Sequence, residues 1–231
     1  MEENSEVSLE NSEPLGYLRD GMIFSLAAWI LLGAYTVQGS FAMSEPRCAS
    51  YACSIADASP SSAVLWSLLL VAALPCWSVG LLMRRHAWNQ LGREETAHSL
   101  VVGPLVMLFL PILLGPLVGY FASYFGTPLI VSAAWGYYTF LESRAMKWLT
   151  DDCDIDMRYS RICSLAGIVA WAVACVGTYV VPSVGVLQRG YSFSYSWSLF
   201  PLFPVWAFLV VAPFLMASCM FAIRAIGRRK S

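Results

Sequence analysis

Few residues in this chain have the type and spacing to do chemistry. Cys48 and Cys53 stand in RCASYAC, Asp151–Asp156 reads DDCDID, Tyr191–Ser198 reads YSFSYSWS, and the histidines are His86 and His98 alone. In a loop facing an oxidising compartment, the four residues between Cys48 and Cys53 allow the two Cα atoms to come within disulfide reach, which a rigid helix would prevent. A structural disulfide is expected there, with two free thiols or a redox-active pair as alternatives. Asp152, Asp154 and Asp156 match positions 1, 3 and 5 of an EF-hand loop. However, Met157 stands where that loop needs Gly, and Cys163 where it needs Glu. No second acidic motif accompanies them, so a solvated loop balanced by Arg158 and Arg161 is expected, without metal, with a weak divalent-cation site as the alternative. Two histidines in one segment cannot build an HExxH zinc site, a bis-His haem site or an intramembrane Ser-His dyad. No catalytic residue and no cofactor are therefore expected.

The elements that must position these residues follow from composition. Apolar residues make up 58% of the 231 and charged residues 13%; mean hydropathy is +0.62. Soluble domains average about 45–50% apolar and about 25% charged. A disordered chain, a coiled coil and an ordinary soluble enzyme are excluded. So is a nucleic-acid binder, because 14 basic residues face 15 acidic ones. The expected fold class is all-α: a polytopic membrane bundle in contact with the lipid bilayer.

A hydrocarbon core needs roughly 20 apolar residues in helix. Uncharged stretches place six spans at about 21–38, 63–83, 100–125, 128–148, 162–181 and 200–223, the fourth running on past its uncharged run, which ends at Leu141. Leu100–Leu141 carries no ionisable side chain except tyrosines and is too long for one span. A break at Gly126-Thr127-Pro128 is expected, Gly suiting a helix end and Pro a helix start, with a turn near Gly119 as the alternative. Residues 1–20, acidic and without apolar periodicity, are expected to form a disordered tail, and 227–231 a basic end. Because the opening is acidic, the first apolar segment is expected to stay as an anchor and not to be removed as a signal peptide.

Six spans sort the basic residues. Arg19, Arg84, Arg85, Arg93, Arg144, Lys147, Arg158, Arg161, Arg224, Arg228, Arg229 and Lys230 fall on one side, and Arg47 and Arg189 on the other. The positive-inside rule then puts both termini in the cytoplasm and the chain in the cell membrane.

The spans, so drawn, hold no Asp, Glu, Lys, Arg or His in their cores, which argues against ion-coupled transport, proton pumping and voltage sensing. Glu142, Arg144 and Lys147 are placed at the interface. Arg84, Arg85, Trp88 and Arg93 give the second loop amphipathic character: an interfacial helix is expected, or a segment that couples to a cytoplasmic partner. The alternating Tyr191, Phe193, Tyr195 and Trp197 share a face only if extended, and read as an outer aromatic belt or an outer docking segment. Ala166, Ala170 and Ala174, like Gly115 and Gly119, mark helix contacts, inside the bundle or between copies in a homo-oligomer. Pro104, Pro111 and Pro116 in the third span and Pro201, Pro204 and Pro213 in the sixth break backbone bonding at matching places. They are candidates to line a central path. Ordinary kinking is the plainer account of them.

Two functions fit. The first is a permease-like subunit passing a solute or lipid, uncoupled or energised by a partner such as a cytoplasmic ATPase, since GxxxxGK[ST] is lacking. The second is a non-transporting accessory or assembly protein.

Overall fold

The structure is a computed structural model. It describes residues 13–44, 60–189 and 205–229, with side chains described over 13–35, 64–65, 68–106, 133–173 and 210–229. Those residues form five helices: α1 (Glu13–Ser44), α2 (Pro60–Gln90), α3 (Glu94–Asp151), α4 (Arg158–Arg189) and α5 (Val205–Arg228). Three of them carry stretches long and apolar enough to cross a membrane: Glu13–Tyr35, Leu68–Gln90 and Val210–Arg228. The exposed surface agrees. Val64, Leu68, Val71, Leu74 and Leu82 on α2, and Ile162, Val169 and Val173 on α4, are all exposed, while Ser25, Arg84, Glu142, Ser160 and Ser218 are buried. Apolar outside and polar inside is the arrangement of a membrane protein, because lipid rewards exposed hydrocarbon and every polar group must find its partner within the protein.

Helix α1 begins inside the stretch expected to form an acidic tail. Residues 13–20 are helical. Glu13 lies in the first turn, where a carboxylate complements the helix dipole. Leu15, Leu18 and Met22 then form a buried stripe at i, i+3 and i+7. The second loop is shorter than expected. Helix α2 continues through Arg84, Arg85 and Trp88 to Gln90 and ends in a Schellman cap. Arg93 N–H donates to the Trp88 carbonyl (2.8 Å), Gly92 N–H to the Asn89 carbonyl (3.1 Å), and Gly92 adopts φ +69°. Only glycine takes that conformation without cost. The guanidinium of Arg93 then covers the Trp148 ring at 4.3 Å, closing the turn over the far end of α3.

The third and fourth expected spans are both in α3, whose helical structure is unbroken through Gly126-Thr127-Pro128. The expected break there is not found. Nor is α3 a straight rod. Thr96 Oγ1 donates to the Leu141 carbonyl at 3.5 Å, and the Tyr138 ring lies against Gly103. At about 1.5 Å per residue, a straight helix would hold Thr96 and Leu141 more than about 60 Å apart. The helix therefore doubles back into two antiparallel arms. The register of these contacts centres the reversal near residues 119–120, close to the Gly119 alternative.

Helix α2 packs on α1 and α3, α5 on α1 and α4, and α3 on α4. At the middle of the bundle, Trp29 of α1 stacks on Trp135 of α3 (5.9 Å between centroids), and Trp135 meets Trp171 of α4 at 5.2 Å.

Candidate functional site: a buried ion pair at the α2–α3 junction

The residues that come together at this site were expected in separate places. Arg84 was assigned to a surface loop and Glu142 to the membrane interface. Instead Arg84 is 8% exposed and Glu142 4%. Arg84 Nη1 donates to both carboxylate oxygens of Glu142, at 3.0 and 2.8 Å. Trp88, fully buried one turn beyond Arg84, donates its indole N–H to Glu142 Oε1 at 3.3 Å. The sequence places both charges at the ends of their spans as outward-facing interface groups; α2 and the second arm of α3 instead bring them to one buried point.

The pair is built on a close helix crossing. A Cβ on Gly21 of α1 would lie 2.7 Å from Arg84 Cγ and 3.0 Å from both Arg84 N and the Gly80 carbonyl oxygen. One on Gly80 of α2 would lie 2.9 Å from Ser25 N and 3.0 Å from the Gly21 carbonyl oxygen. The two backbones touch, and the aliphatic stem of Arg84 lies over Gly21, which steers its head toward Glu142. Tyr138 and Cys219 lie within electrostatic range of both charges. Two buried polar atoms in this region, Arg84 Nε and Thr139 Oγ1, have no hydrogen-bond partner. Thr139 stands one turn before Glu142 on α3.

Of the candidate partner-coupling residues, Arg84 and Trp88 thus face inward and Arg93 is occupied by Trp148. Arg85 is exposed, beside a surface notch of about 350 Å³ that it shares with Asn89, Glu94, Glu95, Ala97 and His98. Among the candidate path-lining prolines, Pro104 is buried and Pro213 exposed. The side chains of Pro111 and Pro116 lie outside the described residues, as does Pro204. Helices α3 and α5 are not principal packing partners among the described residues. Cys48, Cys53, Tyr191, Phe193, Tyr195 and Trp197 also lie outside the described residues.

The acidic segment closes the α3–α4 turn. Cys153, Ile155 and Met157 are buried, while Asp152, Asp154 and Asp156 alternate with them on the outside. Asp154 takes φ 55°, a left-handed conformation that Asp tolerates better than most residues. Ile155 N–H reaches the Leu149 carbonyl at 3.0 Å, and Met157 N–H donates to Thr150 Oγ1 at 3.1 Å. Burial raises the Cys153 thiol pKa, making it a poor nucleophile. Among the described residues no three His, Cys, Asp or Glu side chains converge on a point that could hold a metal ion. Comparison with protein-family models, with curated proteins and with solved structures found no match.

Proposed function

We propose that this chain is a six-span protein of the cell membrane with both termini in the cytoplasm. In this reading it works as a permease-like subunit whose path for a solute or lipid is closed by the Arg84–Glu142 pair. The two arms of α3 supply the third and fourth spans. The carrying observation is the pair itself. A buried ion pair contributes little net stability, because desolvation offsets most of the attraction. Ionisable groups inside a membrane bundle generally mark a pathway or a switch. Arg84, with one N–H unpartnered, has an alternative hydrogen bond to make if the helices move apart.

The test is passage through liposomes. Osmotic swelling with small uncharged solutes, and dithionite bleaching of labelled lipid, should show a slow leak for the parent protein and a faster one for Glu142→Gln. An opened path conducts without any energising partner. If both proteins match empty liposomes, while size-exclusion chromatography shows them folded, the permease reading fails.

One observation favours the second reading, a non-transporting accessory or assembly protein. The Trp29–Trp135–Trp171 stack fills the middle of the bundle with three large rings. On that reading neither protein leaks, and the ion pair serves only to fix which helices meet.

A further inference from the structure

We propose that the outer face of the α4–α5 pair, at the end where α4 begins and α5 ends, is a binding site for the headgroup of an anionic phospholipid. Tyr159 and Phe221 stack there with centroids 5.5 Å apart, so the first turn of α4 lies beside the last turns of α5. Both rings are exposed, Tyr159 at 61%. Below them in the chain direction of α4, Ile162, Val169 and Val173 continue an exposed apolar face. Met220 extends it on α5. This surface is hydrocarbon-facing along its length and aromatic at its edge, which is how a membrane protein meets the headgroup layer.

Just past the aromatic edge the surface becomes cationic. Arg158 adjoins Tyr159, and Arg224 stands three residues after Phe221, on the same face of α5. Both are exposed. Arg224 has no ion-pair partner among the described residues. Arg158 meets only Asp156, in an exposed contact of 3.9 Å, and such pairs are weak. The Asp156 carboxylate is also engaged by the Arg158 backbone N–H at 3.2 Å. Two exposed guanidinium groups with long stems at the end of an apolar, aromatic-edged wall fit one occupant: a lipid whose phosphate and second negative group face the arginines while its acyl chain lies along Ile162 and Val169. Guanidinium binds phosphate through paired donors, which a zwitterionic lipid with its own ammonium satisfies less well. This inference stands independently of the permease reading.

The experiment uses the full chain in nanodiscs of phosphatidylcholine with or without one-fifth phosphatidylglycerol, and native mass spectrometry of the lipids retained on release. The parent should retain phosphatidylglycerol in preference to phosphatidylcholine by several-fold. Arg158→Gln with Arg224→Gln should abolish the preference, whereas Arg228→Gln with Arg229→Gln and Lys230→Gln should keep most of it. Loss only in the second variant would overturn the site and assign the effect to diffuse charge at the C-terminus. As a readout independent of variant stability, a photo-crosslinking amino acid at Ile162 should capture phosphatidylglycerol over phosphatidylcholine. Capture in proportion to bulk lipid would also overturn the proposal.

Discussion

Two junctions hold α2 in place, and they work by opposite means. Toward α1, Gly21, Ser25 and Gly80 bring backbone against backbone; the Ser25 hydroxyl bonds to its own helix at the Gly21 carbonyl, 2.9 Å away. Toward α3, four residues away on the same helix, Arg84 and Trp88 cross to Glu142. The first junction draws its stability from dispersion at close approach, which lipid cannot supply. The second gains little net free energy from its charges but is costly to break on one side only. Hence the apolar junction should respond to volume, and the polar one to whether its partners match. Arg84 belongs to both, since its stem covers Gly21 and its head holds Glu142.

The sharpest way to break the comparison is to unpair the charges. Glu142→Ala should lower unfolding stability in detergent by about 3–5 kcal/mol, while Arg84→Met combined with Glu142→Leu should recover most of that loss. A double variant no better than the single would mean the charges themselves, and not their mismatch, hold α2 to α3.

Volume tests the other junction. Gly80→Ala should cost about 1–3 kcal/mol, because the new methyl meets the α1 backbone and the helices must part. Gly21→Ala should cost a similar amount in the parent but less in a protein already lacking the Arg84–Glu142 pair, since part of its effect is to push Arg84 off Glu142. Thermal unfolding of the four proteins in this cycle gives the coupling. Strict additivity would separate the two junctions.

The α3–α4 turn offers the smallest effect and a control. Replacing Asp152, Asp154 and Asp156 together by Asn should change stability by no more than about 0.5 kcal/mol, since the acids face outward and Asn also tolerates the left-handed backbone at 154. Asp154→Val, which does not tolerate it, should cost about 1–2 kcal/mol by the same unfolding assay. A large calcium- or magnesium-dependent shift in the parent, lost in the Asn variant, would instead make the segment a metal site.

Much of the helical framework was legible in the sequence, because uncharged runs near span length have few other uses. The start of α1 was hidden by its charges: five acids before Pro14 obscured the short Leu15, Leu18, Met22 stripe. The α3 reversal was hidden differently. Gly126-Thr127-Pro128 has the composition of a turn, yet proline within helices is tolerated in a membrane protein where neighbouring groups take up the freed carbonyl. The buried pair was invisible in principle to a linear reading. Arg84 and Glu142 are 58 residues apart, and each sits beside other charged residues that do face outward. Only the antiparallel return of α3 puts Glu142 beside α2.

That return bears on how the protein would enter a membrane. Between Leu100 and Leu141 there is no Asp, Glu, Lys, Arg or His, so the bend between the arms carries no charged group that must stay in water. Charges that fix direction lie only beyond the outer ends, at His98 and Arg93 before the first arm and Glu142 and Arg144 after the second. On the proposed six-span reading, neither arm would be oriented separately from the other. Both should leave the insertion machinery as a hairpin, with orientation decided once, by the charges at its open end, where Glu142 then meets Arg84.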